Sequence, residues 1–328
     1  MTKTEALKNI SNLSALVVGD VMIDAYLYGV VERMSPEAPV PVVLMNGRDE
    51  RAGGAANVAR NVQALGASVH IATVVGDDAA GTRLIDLFQA RQMGVTACLR
   101  SPDRITTIKT RIIRDNEHML RVDEETEEEI SNELSKNLLA SCISILDNFN
   151  IDVIIFEDYD KGVLTPDIIA GLTLEARKRD IPVTVDPKLK GFLNYPGVDL
   201  FKPNLNELRE GLSTEINLDD NNFDSLKTAV QSLHEKVSPK ISLTTLGSYG
   251  VWVYSPELKV DHLHTAAIPC NVIDVSGAGD TVIATASLML ASGATPEIIA
   301  EVANLAGAQV CTQSGVVTVD LELLINES

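Results

Sequence analysis

Aromatic side chains are scarce in this sequence: Phe, Trp and Tyr make up 4% of its 328 residues, and there is a single Trp. A core of useful size must therefore be assembled mainly from Ala, Val, Ile and Leu. Basic residues are also short, with 27 Lys and Arg against 46 Asp and Glu, a formal net charge of −19. A surface that acidic repels nucleic acid and anionic membranes, so neither is an expected partner. It would repel a nucleotide too, so any phosphate site has to draw positive potential from helix ends, Lys or Mg²⁺. The four cysteines, Cys98, Cys142, Cys270 and Cys311, are far apart and form no CxxC pair. Disulfides and a zinc site are disfavoured, and reduced thiols are expected. No apolar run approaches the roughly 18 residues of a membrane span, and no leader-like segment opens the chain. A soluble, cytoplasmic protein is the expectation. GxxxxGK[ST] is absent as well, which removes the P-loop.

What is present is ordinary globular material, 45% hydrophobic and 22% charged. Apolar runs at Leu13–Val18, Val69–Val75, Val153–Phe156, Val183–Val185, Leu200–Phe201 and Ile241–Thr244 read as buried strands. Helical patterns cover Ala55–Leu65, Gly81–Arg91, Glu127–Asn148, Pro166–Lys178, Asn222–Lys236, Gly277–Ala291 and Pro296–Thr312. Such alternation predicts an α/β fold whose parallel sheet is covered on both faces. Ligands then bind beyond the carboxyl ends of the strands. Tyr26–Val31, Val40–Leu44, Ile105–Arg111 and His118–Val122 break the alternation. They predict a small separate sheet, from about 24–48 and 104–123, inserted in two pieces as a lid or a dimer contact. The acidic run Asp123–Glu129 reads as a solvated helix start.

The chemistry-bearing segments follow predicted strands. Asp274-Val-Ser-Gly-Ala-Gly-Asp-Thr281 leads into the apolar helix VIATASLMLA. Gly277, Ala278 and Gly279 are small enough for backbone N–H groups to close on an anion, aided by the helix dipole. Asp280 is placed to take a proton from an attacking hydroxyl. A plainer reading is a Gly-rich turn capped by that Asp. Ala52-Gly-Gly-Ala-Ala-Asn57 opens another helix; Gly53 and Gly54 let a polyhydroxy ligand approach backbone, and Asn57 offers donor and acceptor. Asp20 and Asp24 add paired acceptors, although Asp20 could simply cap a turn. Asn204 and Glu207 lie three apart at a helix start, so both can face a Mg²⁺–phosphate through water, or form a capping box. Thr245-Leu-Gly-Ser-Tyr-Gly250 is a small-residue turn suited to phosphates. His262 and His264 alternate on one strand, but a metal pair there is disfavoured.

AGGAAN, PNLNE, TLGSYG and DVSGAGDT, in that order and spacing, closely resemble the ribokinase-like (PfkB) carbohydrate kinases over essentially the whole chain. The resemblance implies one kinase domain over 1–328, a three-layer α/β/α fold with a mostly parallel central sheet and an inserted lid. It implies ATP and Mg²⁺, and it allows for a monovalent cation. ATP would lie along Asn204, Glu207, Thr245, Gly247, Gly250 and Asn304, with Glu207 reaching the metal through water. Asp20-Val-Met-Ile-Asp24, Arg33-Met-Ser-Pro-Glu-Ala-Pro-Val-Pro-Val-Val43, Asp158-Tyr-Asp-Lys-Gly162 and Asp186-Pro-Lys188 are similar to bacterial heptose-7-phosphate kinases. Those enzymes phosphorylate the anomeric O1 on the route to lipopolysaccharide core. Asp20, Asp24, Gly53, Gly54, Asn57 and Asp158 would then hold the sugar, with Arg111, Lys161 and Lys188 near its phosphate. Glu157 departs from that pattern, standing where a small residue is common. Many such kinases carry a C-terminal nucleotidyltransferase domain, an activity not expected in this chain. A homodimer through the lid is expected, because its Pro-Val-Pro-Val-Val run would otherwise be exposed.

Overall fold

The computed structural model describes residues 2–114, 117–218, 223–257 and 259–326. Helix α1 (Lys3–Asn9) precedes β1 (Ser14–Gly19), which runs through Asp20 into β2 (Val21–Met34) and then β3 (Pro41–Gly54). There follow α2 (Ala55–Ala64), β4 (Ser68–Gly76), α3 (Ala79–Ala90), β5 (Gly94–Ser101), β6 (Thr107–Arg114) and β7 (Glu117–Glu124). Next come α4 (Asn132–Asn148), β8 (Val153–Glu157), α5 (Pro166–Arg177), β9 (Val183–Asp186), β10 (Leu200–Phe201), α6 (Leu205–Leu212) and α7 (Asp224–Val237). The chain closes with β11 (Ile241–Thr245), β12 (Val251–Ser255), β13 (Val260–Thr265), α8 (Ala278–Ala291), α9 (Pro296–Cys311) and α10 (Leu321–Asn326).

One sheet has the order β13-β12-β11-β10-β9-β8-β1-β4-β5. It is parallel from β5 to β11, and β12 and β13 add an antiparallel hairpin. The strands read as continuous apolar runs because both faces are covered. Along β1, Ala15 and Val17 enter one core while Leu16 and Val18 enter the other; on β8, Val153 and Ile155 oppose Ile154 and Phe156 in the same way. The first core takes the apolar faces of α2, α8 and α9, the second those of α4, α5 and α7. The result is the expected three-layer α/β/α arrangement.

Four strands form a second sheet, ordered β3-β2-β6-β7. Its inner end is buried through Val21, Ile23 and Ala52, whereas Met34, Met45 and Leu120 at its outer parts are exposed. The segment expected from 104 to 123 supplies β6 and most of β7, with residues 115 and 116 outside the described set. Asn222, the expected start of a helix, also lies outside it, and α7 is described from Asp224.

Two expectations need correction. The acidic run Asp123–Glu129 does not begin a helix. Asp123 and Glu124 finish β7, and α4 starts at Asn132, where Ser131 accepts the N–H of Leu134 (3.3 Å). The carboxylates are held elsewhere: Lys109 reaches Asp123 (3.3 Å) and Glu125 (2.8 Å), and Lys161 reaches Glu125 (2.9 Å) and Glu127 (3.4 Å). The small-sheet strands β2 and β3 are also much longer than their apolar runs. Their inner ends continue into the main core, so polar residues such as Asp24 and Arg51 are drawn into strand.

Candidate active site

The carboxyl ends of β1, β8 and β9 meet the amino end of α8. Gly277, at the cap of that helix, has φ 77°, and a Cβ there would lie 2.7 Å from Asn57 Nδ2. Only glycine is comfortable in both respects. Asp280, in the first turn, is 3% exposed. Its carboxylate accepts Asn57 Nδ2–H at Oδ2 and the Tyr159 hydroxyl at Oδ1, both at 2.8 Å. Burial raises its pKa above the usual carboxylate range, while the bonds from Asn57 and Tyr159 oppose the rise. The two donors fix the carboxylate in orientation, and burial makes it more basic. Ala278 and Gly279 form the helix's first turn; the Ala278 N–H donates to Val275 O (3.2 Å).

Behind Asp280 stand two further carboxylates. Glu157 ends β8 and Asp186 ends β9, directly opposite each other in parallel register. Oxygens from Glu157, Asp186 and Asp280 all lie within 4.8 Å of one another, and all three residues are buried. Neither oxygen of Glu157, nor Asp186 Oδ1, has a hydrogen-bond partner. Burial first, and then Asp186 and Asp280, push the Glu157 pKa well above the ordinary range. Lys202, itself 2% exposed, pairs with Asp186 (2.8 Å) and partly offsets the charge. A Cβ at Gly19 would fall 1.9 Å from Glu157 O, so glycine is what lets β1 and β8 close here. Among the described residues, this trio is a group of oxygen donors close enough to hold a hard cation.

On the small-sheet side, Asp24 pairs with Arg111 (2.5 Å), and a Cβ at Gly53 would sit 2.0 Å from Asp24 Oδ2. Gly54 has φ 61° and turns β3 into α2 against Asp20 O. Asp20 behaves differently. Its carboxylate accepts the backbone N–H of Tyr159 (2.9 Å), Lys161 (3.0 Å) and Val163 (3.1 Å). It thereby shapes the loop after β8. Asp158 accepts from Tyr195 OH (2.6 Å) and the Asp160 N–H (2.8 Å), and burial pushes its pKa up to about 6. Lys161 is tied to Glu125 and Glu127, as described above. Lys188 pairs with Glu207 and lies 5.1 Å over the Tyr159 ring. Each cation expected near a sugar phosphate thus already has a carboxylate partner.

Farther along the strand ends, Asn204 and Glu207 form a reciprocal capping box on α6: Asn204 N–H to Glu207 (2.8 Å) and Glu207 N–H to Asn204 (2.9 Å). A parallel bridge sets Asn204 beside Thr245. Gly247 begins the tight turn joining β11 to β12, and Gly250 (φ 92°) packs where a Cβ would meet Thr265 O at 2.1 Å. Asn304, on α9, donates to Ala266 O (2.8 Å) and so anchors the segment after β13. His262 and His264 join an aromatic cluster with Trp252 and form no metal group among the described residues. Sequence reasoning missed Tyr159, Lys202 and the carboxylate role of Asp186. Tyr159 and Asp186 lie inside motifs named above and Lys202 stands directly before PNLNE, but nothing in their spacing pointed to Asp280.

The pfkB family carbohydrate kinase profile matches residues 12–322. Two curated relatives, each named bifunctional protein HldE, are 38% identical over 307 residues (Geobacter sulfurreducens) and 40% identical over 314 residues (Koribacter versatilis). These matches cover 94% and 95% of this chain but 61% and 62% of the relatives, so it spans about three-fifths of their length. Among solved structures, phosphofructokinase-2 from Escherichia coli superposes with a TM-score of 0.76 at 18% identity, over 96% of this chain and 98% of that one. An Arabidopsis thaliana ribokinase complexed with ribose and ATP gives 0.72 at 17% identity, over 96% and 99%. The structural likeness establishes the ribokinase-like fold, and with the family profile spanning nearly every element of it, the chain belongs to the pfkB family of carbohydrate kinases.

Proposed function

We propose that the chain transfers the γ-phosphoryl group of ATP to O1 of a heptose 7-phosphate. The observation that carries the kinase reading is Asp280. It is a buried, doubly hydrogen-bonded carboxylate in the first turn of an apolar helix, where the dipole favours an anion. In the reaction, the sugar hydroxyl oxygen forms a bond to the γ-phosphorus and the bond to the β,γ-bridging oxygen breaks. The hydroxyl proton passes to Asp280, which Asn57 and Tyr159 hold in one rotamer. Positioning and charge stabilisation supply the rest. Mg²⁺, when bound, neutralises charge developing on the phosphates. The unpartnered Asp186 Oδ1 would supply an oxygen donor such an ion prefers, and Glu207, held by Lys188 and Asn204, would reach it through water.

Heptose 7-phosphate is supported by the motif resemblance and by cations that can exchange partners. Arg111, Lys161 and Lys188 are held by carboxylates, and a phosphate dianion would take their place. ATP consumption over a panel of sugars, sugar phosphates and nucleosides tests the reading. No turnover with any of them would instead leave a sugar-binding regulator. Calorimetry with heptose 7-phosphate against unphosphorylated heptose tests the phosphate subsite, which equal affinities would sink. Arg111→Ala and Lys188→Ala should each weaken sugar-phosphate binding by about 1.5–3 kcal/mol and move ATP affinity much less. The exposed Met34, Met45 and Leu120 support pairing of two copies through the small sheet. Light scattering of Leu120→Glu should then report a monomer.

A further inference from the structure

A cavity of about 460 Å³ opens between the edge strand β3, helices α2 and α3, and the 313–318 segment. Its volume is in the range of small-ligand sites. Neither Asp280 nor any other residue of the phosphoryl-transfer site described above lines it. Three arginines do: Arg51 from β3, Arg60 from α2 and Arg91 from the end of α3.

Their charge is poorly balanced. Of the two carboxylates in the lining, Asp49 is held by Arg51 (2.8 Å), and Glu50 is held by Arg48 and by Arg83 (3.4 Å), both outside the cavity wall. Arg60 and Arg91 form no ion pair among the described residues. Arg60 Nε is buried without any hydrogen-bond partner. Its pKa is depressed by burial and then by Arg91 and Arg51, each of which acts on it more than the opposing Asp49, so the cations repel one another around the cavity. In a chain of net charge −19, such a cluster is conspicuous. A buried donor left unpaired is costly, and a planar guanidinium pairs in bidentate fashion with the oxygens of an anion such as phosphate.

We propose that this cavity is a binding site for a small phosphate-bearing anion, separate from the phosphoryl-transfer site. Arg60 and Arg91 supply the uncompensated charge, and the orphaned Arg60 Nε–H supplies a ready donor. Arg51 connects the cavity to the rest of the molecule. Its Nη1 donates to Ser314 O (3.1 Å) and Val316 O (3.2 Å), and Val316 packs 3.2 Å from where a Gly277 Cβ would lie. The anion would therefore bind one loop away from the amino end of α8.

Inorganic pyrophosphate is a suitable probe, titrated calorimetrically into the whole chain while a non-hydrolysable ATP analogue saturates the transfer site. One equivalent should still bind. Arg60→Met and Arg91→Gln should each weaken that binding at least about tenfold, and Arg60→Lys should weaken it less than Arg60→Met. Pyrophosphate should also raise the melting temperature of the analogue-bound wild type but not of Arg60→Met. Without pyrophosphate, Arg60→Met should melt no lower than wild type, since it removes an unpaired buried donor. If that variant fails to fold, the exposed Arg91→Gln decides alone. Absence of any pyrophosphate binding once the analogue is bound would overturn the proposal, as would undiminished binding in Arg91→Gln.

Discussion

The nine-stranded and four-stranded sheets are stabilised by different means. At the centre of the large sheet, β1 and β8 bury successive side chains in opposite cores, and β8 and β9 carry no charge until they end at Glu157 and Asp186. In the small sheet, side chains are held by ion pairs such as Lys109–Asp123, Arg121–Asp123 and Asp24–Arg111, while Leu120 and Val122 face solvent. Close-packed apolar layers have one low-energy arrangement. The Arg121 pair, near solvent, contributes little, whereas Asp24–Arg111 is largely buried and each of its charges needs a partner, which a ligand of like charge can replace. The large sheet and the helices packed on it therefore fix Asp280, the proposed base, and the small sheet is proposed to offer replaceable charge.

The sharpest way to break that contrast is at the proposed base. Asp280→Asn should leave folding and nucleotide binding intact but reduce turnover by about 10²–10⁴-fold, because Asn can keep a hydrogen bond yet cannot accept the proton. Turnover within a few-fold of wild type at saturating substrate would remove Asp280 from the mechanism. Next in size is packing. Ile155→Ala, wholly buried in β8, should cost about 2–5 kcal/mol in denaturant unfolding.

A third effect is electrostatic. Asp158, with its pKa at about 6 against an ordinary 3.8, holds its proton more tightly in the folded chain than in the unfolded one. Its contribution to stability is complete below the ordinary value and is lost as pH rises through about 6. The loss should approach about 3 kcal/mol. Unfolding curves from pH 3.5 to 7 should show this fall in wild type and a flatter profile in Asp158→Asn. The smallest effect belongs to the small sheet: Leu120→Ala, 56% exposed, should change the stability of a single chain by less than about 0.5 kcal/mol. A cost equal to that of Ile155→Ala would erase the distinction between the two sheets.

The same contrast separates what could be read in the chain from what could not. The six expected strands of the large sheet are present because burial on both faces leaves a continuous apolar run in the sequence. β5 escaped notice because Gly94–Ser101 is an edge strand with Arg100 and mixed exposure, and β12 because the five residues Val251–Ser255 follow directly on a glycine-bearing turn; β13 is read only through His262 and His264 alternating along it. Gly277, Gly54 and Asp280 were legible because backbone conformation and helix position restrict residue type locally.

By itself, then, the sequence determined the α/β alternation, the glycine-bearing turns and the candidate base, all of which depend on neighbours within a few residues. Only tertiary structure decided that Asn57 and Tyr159 would converge on Asp280, that Glu157 would be buried beside Asp186, and that Asp20 would be spent on the backbone of 159–163. These contacts join residues more than a hundred positions apart or strands adjacent only in the sheet. Their distances follow from parallel register and helix docking, which no local spacing in the chain encodes.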